Sequence, residues 1–179
     1  ASAPGPTPTP TTVPGPTPTP TTVDPWIDDV LGVSGTFGHC CDANDLSSDP
    51  AVAKPLITGA QDSPPNSNFI QISDNAAVIG QFVNNKAVDG SGADIRIYIY
   101  DTLFPADALI EVSADCVSYS SAGIHTDTAN VDIDLLTVVP PLAEAKCVRL
   151  TDQVADGDPY PTLGFDLDAI EAVNTVAVP

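Results

Sequence analysis

The chain has 179 residues, enough for one domain with an appendage, and carries 24 acidic against 5 basic residues, a net charge of −19. Such a surface repels phosphate backbones and anionic lipid, and the five cations (Lys54, Lys86, Arg96, Lys146 and Arg149) form no cluster, so nucleic acid and membrane surfaces are excluded as partners while metal cations are favoured. No apolar run approaches the roughly 18 residues of a spanning helix, so membrane insertion is not expected.

Residues 4–13 read PGPTPTPTTV, and residues 14–23 repeat them letter for letter. Proline removes amide donors and fixes φ, so this stretch, which has no charge and no aromatic, builds neither helix, sheet nor core. It predicts an extended polyproline II arm over residues 1–23, about 60 Å long for twenty residues. Thr7, Thr9, Thr11, Thr12, Thr17, Thr19, Thr21 and Thr22 lie among the prolines of this arm. That composition is the one of O-glycosylated stalks, and these eight are the expected attachment sites. The chain contains no methionine, so Ala1 is not a translation start. A removed signal peptide or a fragment of a longer protein is expected, and Ala1-Ser2-Ala3 suits a cleavage site.

Asp24-Pro25-Trp26 opens a segment with helix signals: Asp24 as cap, Pro25 in the first turn, Gly32 as stop. The segment predicts a short amphipathic helix over residues 24–33. Its apolar side chains Trp26, Ile27, Val30 and Leu31 would dock onto the chain's own domain or anchor a neighbouring subunit.

From Ser34 the pattern is β. Ile95, Ile97 and Ile99 alternate with Arg96, Tyr98 and Tyr100, and further strands are expected at 68–72, 77–83, 109–113, 130–136, 147–151 and 168–173. Short Val- and Ile-rich strands broken by Gly, Pro, Asn and Asp predict an all-β fold, an antiparallel β-sandwich over residues 34–179 with helix confined to short turns. Cys40, Cys41, Cys116 and Cys147 are an even set, which in an exported chain reads as two disulfides. A bridge between the neighbours Cys40 and Cys41 would strain the backbone, so two cross-pairings to Cys116 and Cys147 are expected. A zinc site built on His39, Cys40 and Cys41 lacks the paired ligand spacing.

Carboxylates gather at two places. Asp89 and Asp94 flank the glycine turn before Ile95, and Asp166 and Asp168 would share one face of a strand. Calcium, which takes six to eight hard oxygens, would relieve their repulsion, and a structural Ca²⁺ is expected near Asp89, Asp94, Asp166 or Asp168. Backbone amides or the nearby Lys146 and Arg149 are the other means of relief. Tyr98, Tyr100, Tyr119 and Tyr160 offer a sugar-stacking platform or simply cover the sheet. Catalysis finds no nucleophile or metal motif around His39 or His125, and no catalytic residues are assigned.

Four blocks, GQFVNNKAVDGSGADIRIYIYD, ALIEVSAD, AKCVRLTD and GFDLDAIEAVN, carry a resemblance when taken in order. They resemble a discoidin-like, carbohydrate-binding-module-like jelly-roll domain of secreted and cell-surface bacterial and archaeal proteins, over residues 68–175. The resemblance implies a β-sandwich, an extracellular or cell-surface location, and adhesion or ligand binding without catalytic residues. Cys116 stands where glycine would be typical, and Cys147 where an aromatic often precedes Val-Arg, which supports both being disulfide partners.

Two functions follow as expectations. The first is a non-enzymatic structural subunit of an extracellular filament, sheath or surface layer, a homo-polymer in which the arm or the Trp26 segment reaches a neighbouring copy. The alternative is a calcium-dependent carbohydrate-binding or adhesion module with a polysaccharide partner.

Overall fold

The computed structural model describes residues 23–39, 46–60, 69–100, 106–153 and 164–178. The eight arm threonines, Cys40, Cys41 and Tyr160 lie outside the described residues. In chain order the first elements are β1 (Asp29–Ser34), β2 (Phe37–His39), β3 (Leu46–Ser47), α1 (Pro50–Ile57), β4 (Ile70–Ile72), β5 (Ala77–Gln81), β6 (Asn85–Val88) and β7 (Ile95–Ile99). They are followed by β8 (Asp107–Ser113), β9 (Ser120–Thr126), β10 (Val131–Ile133), β11 (Glu144–Ala145), β12 (Cys147–Gln153), β13 (Phe165–Ala172) and β14 (Thr175–Ala177).

The strands form the expected antiparallel sandwich. One sheet runs β1-β5-β12-β8-β9, the other β10-β7-β13-β4-β2-β3, and β11-β6-β14 make a small third sheet. The alternation read in the sequence decides which side chains face inward. Ile95 and Ile97 of β7 and Phe165, Leu167 and Ile170 of β13 are fully buried, as are Val78, Ile110, Val112, Val148 and Leu150 of the opposite sheet. Arg96, Tyr98, Glu111 and Arg149 alternate with them and point outward.

Residues 24–33 are not a helix. Ile27 donates its amide to Ile170 O in one sheet and Asp28 its amide to Gln81 O in the other, while Trp26 bridges to Glu171. The Asp28 carboxylate accepts from the amides of Val83 and Asn84. Pairing with strands distant in sequence thus claims the amides that a helix would turn back on itself, and β1 runs along β5 with a bulge between Val30 and Gly32. Ile27 and Val30 are buried in the chain's own core and Leu31 is exposed, so of the four expected contact residues only Leu31 and part of Trp26 are open to a neighbour.

The helix lies instead at Pro50–Ile57. Asp49 caps it by accepting from Ala51 N at 2.9 Å, Pro50 sits in its first turn, and Ala53 and Ile57 are buried. Strand β13 also departs from a regular alternation. A bulge between Leu167 and Ala169 makes Asp168 the extra residue, and Ala169 takes the place opposite Tyr98. The regular alternation on which Asp166 and Asp168 would share a face is thus interrupted at Asp168.

Candidate functional site

A cleft opens on the outer face of the five-stranded sheet. Its floor is set by register: Gly32 pairs Ile79, Ile79 pairs Arg149, and Arg149 pairs Glu111, giving one transverse row across β1, β5, β12 and β8. A second row places Ser34, Ala77 and Thr151 beside it. Together with Val33 these residues line a cleft of about 340 Å³. Pockets of roughly 300–1,000 Å³ hold small ligands.

Arg149 is the centre of this cleft. Its Nε donates to Glu111 Oε2 at 2.7 Å, and its guanidinium carbon lies 4.0 Å from the centroid of the Tyr119 ring. The Glu111 carboxylate raises the guanidinium above its usual range, and burial raises the Tyr119 phenol. The pair carries no net charge. The other guanidinium N–H groups have no partner among the described residues, and the hydroxyls of Ser34 and Thr151 have none either. Ile79, Ala77 and Val33 supply apolar surface between these polar groups.

The ring behind Arg149 is held by chemistry that is legible in the sequence only in part. Cys116 and Cys147 are bonded to each other, with Cα atoms 5.3 Å apart. The expected cross-pairing to Cys40 and Cys41 is thereby corrected: the ladder of β12 and β8 sets Cys147 opposite Ser113, three residues before Cys116. Cys116 has φ +61°, the left-handed conformation that glycine adopts freely, at the position where glycine would be typical. Asp115 fixes the turn that follows by accepting from the amides of Val117 and Ser118 at 2.8 and 2.7 Å and from the Ser113 hydroxyl. These bonds, that from Ser118 foremost, pull its pKa down to about 2. The turn then delivers Tyr119 to Arg149.

The tyrosines of the other sheet are engaged within the domain. Tyr98 donates to Glu171 Oε2 at 2.6 Å and is met by Trp26 at 5.5 Å between centroids. Tyr100 stacks on buried Phe69 at 4.3 Å. Arg96 grips Asp132 through two bonds of 2.6 and 2.7 Å. This face covers the sheet.

The two places where calcium is expected lie apart. Asp89 and Asp94 are brought together with Asp134, their carboxylate oxygens within 4.8 Å of one another. Val173 N donates to Asp94 O, so this group sits near the end of β13, whereas Asp166 lies at its start, about 23 Å away at ~3.3 Å per residue. Asp94 is held within the chain: Oδ1 accepts from Gly90 N and Asn174 Nδ2, and Oδ2 accepts from Leu135 N. Its role is to close the turn. Sequence reasoning missed Asp134, which alternation alone does not bring to Asp94.

No protein-family model matches the chain, and no curated protein does so either. Three similar solved structures are distant. A glycoside hydrolase has 12% identity and a TM-score of 0.46, covering 87% of this chain and 33% of that one, so this chain spans about a third of its length. CBM32 of AlyQ, in complex with 4,5-unsaturated mannuronic acid, has 14% identity and a TM-score of 0.45, covering 80% and 95% of the two chains. The C-terminal domain of a chitobiase from Bacteroides fragilis has 12% identity and a TM-score of 0.46, covering 84% and 94%. The site itself is argued from this chain's own side chains.

Proposed function

We propose that the chain is a non-catalytic carbohydrate-binding or adhesion module of an extracellular protein, with a neutral saccharide lying in the cleft on the outer face of the five-stranded sheet. The observation that carries this reading is the Arg149 row. A sugar ring presents hydroxyls at its edge and C–H groups on its face. The cleft offers guanidinium N–H donors and two hydroxyls that have no partner among the described residues, a carboxylate acceptor, and an apolar floor at Ile79 and Ala77. Two observations favour a neutral chain over a uronate polymer: Glu111 compensates Arg149, and the net charge of −19 repels polyanions. An extracellular setting accords with the disulfide, since such bonds persist in oxidising compartments. Among the described residues no helix is long and apolar enough to cross a membrane.

The test is affinity electrophoresis of the full chain through gels carrying laminarin, xyloglucan, galactomannan or alginate. Retardation by a neutral polymer and none by alginate is expected. Arg149→Ala should weaken the binding by at least about tenfold, or ~1.4 kcal/mol. Arg149→Lys keeps the charge but loses the planar stack on Tyr119, and should fall between the two. Indifference of all four gels to the protein, together with sedimenting polymers at high protein concentration, would return the reading to a filament subunit.

A further inference from the structure

The rows that floor the cleft run on past it. Thr151 pairs Leu109 and Leu109 pairs Ile124, so the row that begins at Ser34 and Ala77 crosses all five strands to the outer edge at β9. Four interstrand spacings of about 4.8 Å make this row about 19 Å long. Residues paired across a ladder share a face, so Leu109 and Ile124 look outward with Thr151. The Arg149 row does the same. Glu111 pairs Ser121, and Ser121 exchanges two backbone bonds with Val139, of 2.9 and 2.8 Å. Both rows end in aliphatic side chains open to water: Ile124 is 61% exposed and Val139 72%.

A lone exposed aliphatic is ordinary on a protein surface. These two instead prolong a cleft that already has an apolar floor. The ladders set the Arg149–Glu111 pair between two apolar stretches, Ile79 with Ala77 on the β5 side and Leu109 with Ile124 on the β8 and β9 side. No side chain walls off either end. At β1 stands Gly32, where nothing lies within 4 Å of an added Cβ. At β9 the exposure of Ile124 and Val139 leaves the way out open. A third row, Gln153, Asp107 and Thr126, gives the track a polar border.

We propose that the cleft is the middle of a track across the whole sheet, which takes the interior of a linear neutral polysaccharide, with Leu109, Ile124 and Val139 as its outer apolar shelf. The inference rests on the saccharide reading and narrows its ligand to a chain several rings long. A site for a chain end or a free monosaccharide needs a wall, and the track is open at both ends. The central ion pair meets ring hydroxyls, and the apolar stretches on either side meet the C–H faces of the flanking rings. An uncharged chain suits the shelf better than a second copy of the protein does, since copies of net charge −19 repel one another.

The experiment is calorimetric titration of the full chain with β-1,3-glucan, β-1,4-glucan and β-1,4-mannan oligosaccharides, from disaccharide to hexasaccharide. In the series that binds, the hexasaccharide should exceed the disaccharide in affinity by at least about tenfold. Ile124→Ser should cut that ratio to below about threefold, and Val176→Ser, at an exposed valine of β14 in the third sheet, should preserve it. Arg149→Ala should weaken binding at every length. A disaccharide bound as tightly as the hexasaccharide, or a ratio unmoved by Ile124→Ser, overturns the track, while continued dependence on Arg149 keeps the cleft. Binding of no oligosaccharide, or binding indifferent to Arg149→Ala, overturns both. A wild-type dimer that Ile124→Ser turns into a monomer, with the length ratio unchanged, gives the shelf to a second copy and overturns the track as well.

Discussion

Replacing Gly164 by alanine should abolish folding or destabilise the domain by more than about 4 kcal/mol. A Cβ built on Gly164 would stand 1.7 Å from the carbonyl oxygen of Ile72 and 2.7 Å from Asp152 Oδ1. The first clash is with backbone, so no rotamer change relieves it. Ile72 pairs with Phe165 in the ladder between β4 and β13, and Asp152 caps the Phe165 amide. Making room for the methyl group means parting β13 from β4 just where Asp166 follows. Gly32→Ala is the matched control, since nothing lies within 4 Å of its new Cβ. Urea unfolding of both variants checks the argument. A Gly164→Ala domain as stable as the wild type would show that β13 does not start against Ile72.

The sandwich was legible because burial has a period of two in its strands. Ile95, Ile97 and Ile99 announce their own sheet face, and the same alternation in β12 sets Arg149 outside between Val148 and Leu150. In β8 it sets Glu111 outside between Ile110 and Val112. What alternation does not contain is register between strands. Gly32, Ile79, Arg149 and Glu111 come from four separated stretches and meet only because three ladders align them. The cleft was therefore invisible, although each outward residue was readable. The Asp-Pro helix signal illustrates the same limit. It reads correctly at Asp49-Pro50, where the cap bond forms, and fails at Asp24-Pro25, where Ile27 and Asp28 give their amides to the two sheets. A local signal decides structure only where no tertiary ladder competes for the same groups. The carboxylates show it again: spacing marked two separate places, but only the fold brings Asp134 to Asp89 and Asp94, and the bulge in β13 sets Asp168 out of step.

Removing the Cys116–Cys147 bridge should lower stability by about 3–4 kcal/mol and also weaken saccharide binding. The stability term follows from loop closure, since the bridge spans a sequence separation of 31 residues and its loss frees that loop in the unfolded chain. The binding term follows from geometry. Asp115 still holds the turn through Val117 and Ser118, but the turn loses its tether to β12, and with it the Tyr119 ring loses its fixed place 4.0 Å from the Arg149 guanidinium. The choice of replacement separates the two effects. Cys116→Ala with Cys147→Ala leaves a side chain at φ +61°, whereas Cys116→Gly with Cys147→Ala does not. The left-handed conformation costs an alanine about 1 kcal/mol relative to glycine, so the glycine variant should be the more stable by that amount in urea unfolding. Both variants should bind the neutral polysaccharide equally weakly, because neither restores the tether. Non-reducing peptide maps of the wild type should show Cys116 linked to Cys147. Binding at wild-type strength in the alanine variant would mean that Arg149 is positioned by Glu111 alone, and that Tyr119 and its bridge serve stability without serving the site.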